Sequence, residues 1–258
     1  MPTKSLHNAQ AAHSGWQAAV LARAGLRGPR HILEGEQGLF AATAPQADAQ
    51  AVIADEADWL IHSTSLKPWP ACRHAHPSID AMRDALAQRT EGDDTPIERI
   101  AVASYAEALR FCDRPEPVTE LQAKFSLQHA LASIVVHGRP QLSHYTEAAC
   151  ADPQVAAWRA KVTVSEDAGC SARFPQHYGA SVQVHLADGR VLAAERIDAW
   201  GDPEQPMAQA DIDAKALSLA QWGGVDGALA QRLIGQVRAL VDGGSLDGLN
   251  DVLLQVRA

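Results

Sequence analysis

The sequence predicts an α+β chain in which helices flank a mixed central block. Two observations carry this. Apolar positions recur at helical spacing near both ends, in Ala9–Ala24 and again from Pro206 onward. Between them the pattern switches to strict alternation in Ile97–Ala108, Lys161–Glu166 and Ala180–Ile197. Apolar residues make up 47% of the 258-residue chain but aromatics only 5%, so the core is built from small side chains and favours closely packed helices.

Taken in order, Ala9–Ala24 reads as a helix with Trp16 and Val20 four apart and a stop at Gly25. So alanine-rich a helix needs partners to cover it. Gly28–Thr43 reads as a loop and short helix interrupted by Gly35 and Gly38, and Ala47–Ile61 as partly helical. Leu66–Pro77 (LKPWPACRHAHP) is extended, because Pro68 and Pro70 forbid a regular helix. A helix starts at Pro77, with Ile79, Met82 and Leu86 as its apolar stripe. Ile97–Ala108 reads as a strand, followed by a turn at Asp113–Pro117. Thr119 and Gln122 form a capping-box pattern ahead of one helix, Glu120–His137. Val182, Val184 and Leu186 alternate up to Asp188-Gly189, a tight-turn pair, and Val191 begins the return strand. The C-terminal region reads as amphipathic helices broken at Gly223-Gly224, then a last short helix through Leu246, Leu249, Val252 and Leu253.

The formal charge of −9 and the lack of a Lys/Arg run argue against nucleic acid. The apolar stretches are too short to span a bilayer. The N-terminus has no secretory apolar region, so the default expectation is a cytoplasmic protein. The four cysteines form no CxxC pair and match no iron–sulfur or zinc spacing, which makes them reduced, mostly buried thiols.

Four basic side chains, Lys67, Arg73, His74 and His76, fall within ten residues just ahead of a predicted helix N-terminus. Unpaired backbone N–H groups there also favour anions. Arg73 suits bidentate carboxylate binding. Lys67 suits a second carboxylate or, if desolvated, proton transfer. A solvated basic loop is the alternative that spacing leaves open. His74 and His76 complete no recognisable metal site, so no metal is expected. Lys4 and His7, three apart, share a face if a helix begins that early. His129 reads as a hydrogen-bonded core or interface histidine.

Several blocks then resemble one family in its own order. KSLHNAQAA (4–12) is similar to K-x-L-H-x-G-x-A-A, with Ala9 where glycine is usual. KPWPACRHAHPSID (67–80) is similar to K-P-[YW]-P-x-C-R-x-x-H-x-x-I-D. AKFSLQHALA (123–132) and GDPEQPM (201–207) match two further blocks. The chain resembles the C-terminal part of the MmgE/PrpD family, whose members include 2-methylcitrate dehydratases. The resemblance implies an all-helical domain, incomplete here at its N-terminal side, with a smaller α+β lid inserted. Residues 1–64 would be the C-terminal portion of the helical domain's first segment, 65–201 the lid and 202–258 the returning helices.

The resemblance also implies a cofactor-independent lyase of small polycarboxylic acids, a 2-methylcitrate dehydratase-like hydro-lyase that needs an N-terminal helical region. Its catalytic residues would be Lys67, Lys4 and His76, with Arg73, His74 and His7 binding substrate. Partners would be the polycarboxylate and either a second copy or a separate helical partner. An inactive, carboxylate-binding remnant and an isomerase, epimerase or decarboxylase are the alternatives.

Overall fold

A computed structural model describes residues 2–46, 48 and 59–256, with side chains from Leu6 onward. The chain forms two compact units, Met1–Leu60 and Ile61–Ala258.

The first unit is dominated by α1 (Pro2–Arg23), which begins earlier than periodicity suggested. It ends at Gly25, whose φ of +97° only glycine adopts without strain. The Leu26 amide donates to Leu21 O and the Gly25 amide to Ala22 O, both at 3.0 Å, so the last turn closes in a Schellman arrangement. Leu6, Trp16, Val20 and Leu21 on this helix are exposed. A short helix, α2 (Leu39–Thr43), follows the expected glycine-broken turns. Most of the expected partial helix at Ala47–Ile61 lies outside the described residues; its end enters a 3₁₀ turn, Leu60–Ser63.

The second unit is built on a four-stranded sheet of β1 (Ile97–Ser104), β2 (Val162–Glu166), β3 (Ala180–Leu186) and β4 (Val191–Arg196), in the order β2-β1-β3-β4. β1 pairs with β2 in parallel and with β3 antiparallel, and β3 pairs antiparallel with β4. The register sets Val102 opposite Val164 on one side and Val182 on the other. Ile100, Val102, Val182 and Val184 are buried, as the period-2 pattern requires. α3 (His76–Leu86) packs on β3 and β4, and its stripe supplies the fully buried Ile79 and Met82 and the partly buried Leu86. Burying such a side chain stabilises by about 1.5–3 kcal/mol. The sheet and these helices make the chain α+β.

Two expected elements are cut shorter. The strand read as Ile97–Ala108 stops at Ser104, whose hydroxyl donates to Gly179 O at 2.8 Å. Ala106–Cys112 then turns into α4, burying Ala108 and Cys112 four apart. The helix read as Glu120–His137 is two, α5 (Glu120–Lys124) and α6 (Leu127–His137). Ser126 separates them. Its hydroxyl accepts the His129 amide at 3.0 Å, starting a new N-terminus, and donates to Arg114 O at 2.5 Å. At the first N-terminus Thr119 accepts the Gln122 amide at 3.3 Å, while the Gln122 side chain accepts the Val118 amide at 2.8 Å, one residue before the N-cap amide that a capping box would use.

The connection from α6 back to β2 carries α7 (Glu147–Ala151) and α8 (Pro153–Arg159), and α9 (Ala168–Arg173) follows β2. The chain finishes with α10 (Gln209–Trp222), α11 (Gly227–Val241) and α12 (Leu246–Val256), the first break falling at Gly223-Gly224. Among the described residues no helix is long and apolar enough to cross a membrane.

Candidate functional site

The basic segment is held rigid from both ends. Trp69 is buried, donates its indole N–H to Asp80 Oδ1 at 2.8 Å and packs against Trp200 with ring centroids 5.4 Å apart. Asp80 Oδ2 accepts the Trp200 amide at 2.8 Å. Burial raises the Asp80 pKa, opposed by these two donors. The Cys72 amide donates to Lys124 O at 2.7 Å, and Arg73–Ala75 forms a 3₁₀ turn leading into α3.

The Leu66 amide donates to Gly201 O at 2.8 Å, so the block from 66 to 201 enters and leaves at one point. Gly201 has φ +95°, and a Cβ there would lie 2.0 Å from Leu66 O. No other residue fits. The neighbouring Asp202 accepts Ser65 Oγ at 2.7 Å and the Ala199 amide at 3.0 Å, and forms an ion pair with Arg73.

The four basic residues therefore have different fates. Lys67 is exposed, its ammonium 3.4 Å from Ala71 O. Arg73 is held by Asp202 and lies 4.9 Å from the centroid of the Tyr178 ring. A substrate carboxylate would have to share its guanidinium with that aspartate. His74 is half-buried. Its Nδ1 is 2.6 Å from the Tyr105 hydroxyl, and its ring stacks on Phe111 at 5.2 Å. Burial, then the charge of Arg73, lowers its pKa, so the ring is neutral near pH 7. Nε2 makes no hydrogen bond with a described residue. His76 is fully buried in the first turn of α3, with Nε2 3.3 Å from Ala71 O and Nδ1 unpartnered. Burial and then Arg73 push its pKa down to about 3.

Lys4 and His7 lie on α1 in the first unit. His7 is exposed, and the Lys4 side chain lies outside those described. The structure thus brings Lys67, Arg73, His74 and His76 together in one unit and places His7 and Lys4 on a helix of the other.

Several neighbours escaped the sequence reading. Lys215 on α10 donates to Lys67 O, and burial, then the Lys67 charge, lowers its pKa. Tyr105 and Tyr178 form, with Phe174, an aromatic wall beside His74. No local signal marks Lys215 or the tyrosines. Asp202 stands in the GDPEQPM block, whose first acid is the signal in the sequence that marks it. Among the described residues no group of three or more His, Cys, Asp or Glu converges as a metal site.

Residues 69–239 match the MmgE/PrpD C-terminal domain. The chain belongs to the MmgE/PrpD family. It is also similar to cis-aconitate decarboxylase of Homo sapiens, 26% identical over 87% of this chain and 48% of the relative, and to that of Mus musculus, 25% identical over 83% and 44%. The chain spans about half the length of these curated relatives. The MmgE/PrpD match takes in Arg73, His74, His76, Asp202 and Lys215, and begins two residues after Lys67. A cavity in the same unit lies elsewhere, by the Pro115–Val118 loop, and none of the candidate residues lines it. The chemistry of the Lys67–His74 segment, rather than concavity, makes it the candidate.

Proposed function

We propose that this chain carries the lid of a cofactor-independent lyase of small polycarboxylic acids, with dehydration of a 2-methylcitrate-like acid as its reaction. The observation that carries the reading is the pairing of an exposed ammonium, Lys67, with a neutral, oriented imidazole, His74, on one rigid segment. Removing a proton beside a carboxylate builds charge on a group already anionic, so a cation must stabilise the enediolate. Lys67 serves there, with the field of Arg73 behind it. His74, neutral with its Nδ1–H donated to the Tyr105 oxygen, takes the proton on Nε2 and returns it to the departing hydroxyl, which leaves as water. His76, buried and neutral, supports the turn rather than exchanging protons.

The single point shared by Leu66 and Gly201 supports the block as an insertion, hence a lid. The exposed apolar side chains of α1 support a helical partner, either a second copy or a separately supplied segment.

Decarboxylation is a second reading, favoured by the names of the two relatives. It needs the same carboxylate grip, but the electron pair left by CO₂ is protonated at carbon.

The test incubates the protein, alone and with such a helical partner, with 2-methylcitrate and separately with cis-aconitate. Proton NMR follows the alkene product, and trapped CO₂ follows decarboxylation. Alkene from 2-methylcitrate without CO₂ supports the dehydratase, and CO₂ from cis-aconitate the second reading. Saturable binding without either product makes the chain a carboxylate-binding module and sinks the lyase.

A further inference from the structure

The cavity by the Pro115–Val118 loop, about 380 Å³ in volume, contains a charge that the rest of the fold leaves unanswered. Pro115, Pro117 and Val118 line it from one side, and Ala156 and Arg159 from α8. Arg159 is only 9% exposed. Its Nη1 donates to Cys150 O at 3.0 Å and approaches His129 Nδ1 at 3.4 Å. His129 Nε2 is 2.8 Å from His144 O, an acceptor only, so Nε2 carries the ring proton and Nδ1 faces the guanidinium as an acceptor. A neutral imidazole thus orients the arginine without neutralising it.

Both contacts use one nitrogen. Among the described residues no carboxylate ion-pairs with Arg159, and its Nε and Nη2 make no hydrogen bond to them. That free edge is open to the cavity, and a carboxylate seated on it makes two parallel charge-assisted hydrogen bonds with the guanidinium. The Cys150 thiol, which also lines the cavity, donates to Thr119 O at 3.6 Å, and burial raises its pKa, so it adds no negative charge. The other lining acids, Glu116 and Glu147, are exposed. They repel any second carboxylate on a ligand.

We propose that this cavity binds a small aliphatic monocarboxylate, its carboxylate on the Nε–Nη2 edge of Arg159 and its hydrocarbon against Pro117, Val118 and Ala156. It is a second ligand site, selecting one negative charge where the Lys67 segment suits several.

The test titrates the full chain with butanoate and with tricarballylate, a saturated tricarboxylate, read by two-dimensional amide NMR. Butanoate should shift the amides of residues 115–118 and 150–160 saturably, and tricarballylate should do so at least about tenfold more weakly. Arg159→Gln should abolish the butanoate shifts. Ala160→Trp, at an exposed position lining the cavity, should abolish them too while leaving the arginine's contacts intact, which keeps the test valid if the first variant misfolds. Lys67→Ala should leave them unchanged, so failure here and failure of the lyase reading are separate outcomes. No saturable shift, equal binding of the two acids, or butanoate binding that survives Ala160→Trp overturns the proposal.

Discussion

At the level of single residues, four basic side chains of one short segment are sorted by what surrounds them. Lys67 is exposed and makes one long contact, so Lys67→Ala should leave the urea midpoint nearly unchanged yet reduce turnover by about 10² or more. Comparable losses in stability and turnover would make it structural. His76 behaves in the opposite way. Its folded pKa, about 3, lies below the ordinary histidine value of 6.5. The unfolded chain therefore binds a proton that the folded chain refuses once the pH falls below 6.5. The stability present above that value is lost towards pH 3, at up to about 1.4 kcal/mol per pH unit for this one group. His74 and His129 are shifted in the same direction. Urea unfolding from pH 7.5 to 5 should show the slope, and His76→Gln should flatten it whatever that variant does to absolute stability. An equal slope in the variant would remove His76 from the account. The sequence marked these residues as basic and close together. It had no means of showing that Asp202, more than a hundred residues away, holds Arg73, or that Lys215 reaches Lys67 O.

The elements depend on a few fastening points. Gly201 lets the backbone pass so close to Leu66 that a methyl group would collide with a carbonyl oxygen. Gly201→Ala should cost at least about 2 kcal/mol, by strain at positive φ and by the clash, and should lower the thermal midpoint. A midpoint within a degree of the parent would mean that the junction gives way freely. The Trp69–Asp80–Trp200 arrangement fixes the same segment, and Asp80→Ala should cost about 2–3 kcal/mol by stranding a buried indole N–H and the Trp200 amide. Chemical denaturation checks it, and a loss under about 0.5 kcal/mol would rule out that role. Periodicity found α3, the hairpin and the glycine-broken C-terminal helices. It misjudged the ends of β1 and α5. There the deciding groups were single hydroxyls, Ser104 on Gly179 O and Ser126 on the His129 amide, which an apolar pattern does not register.

For the molecule as a whole, the exposed Trp16 and Val20 of α1 lead to the expectation that this helix meets a partner, as its alanine-rich composition suggests. Sedimentation should show association that Trp16→Asp with Val20→Asp weakens. A chain that is monomeric at high concentration both before and after the change would argue against self-association. The sequence by itself determined the α+β character, the alternation of the sheet and the basic segment with its MmgE/PrpD likeness. These reside in local spacing, and side-chain period follows directly from backbone geometry. Only the tertiary structure decided which of the basic groups stays available for chemistry. Burial, neighbouring charge and hydrogen-bond partners come from residues far apart in the chain, and those long-range contacts set protonation and freedom.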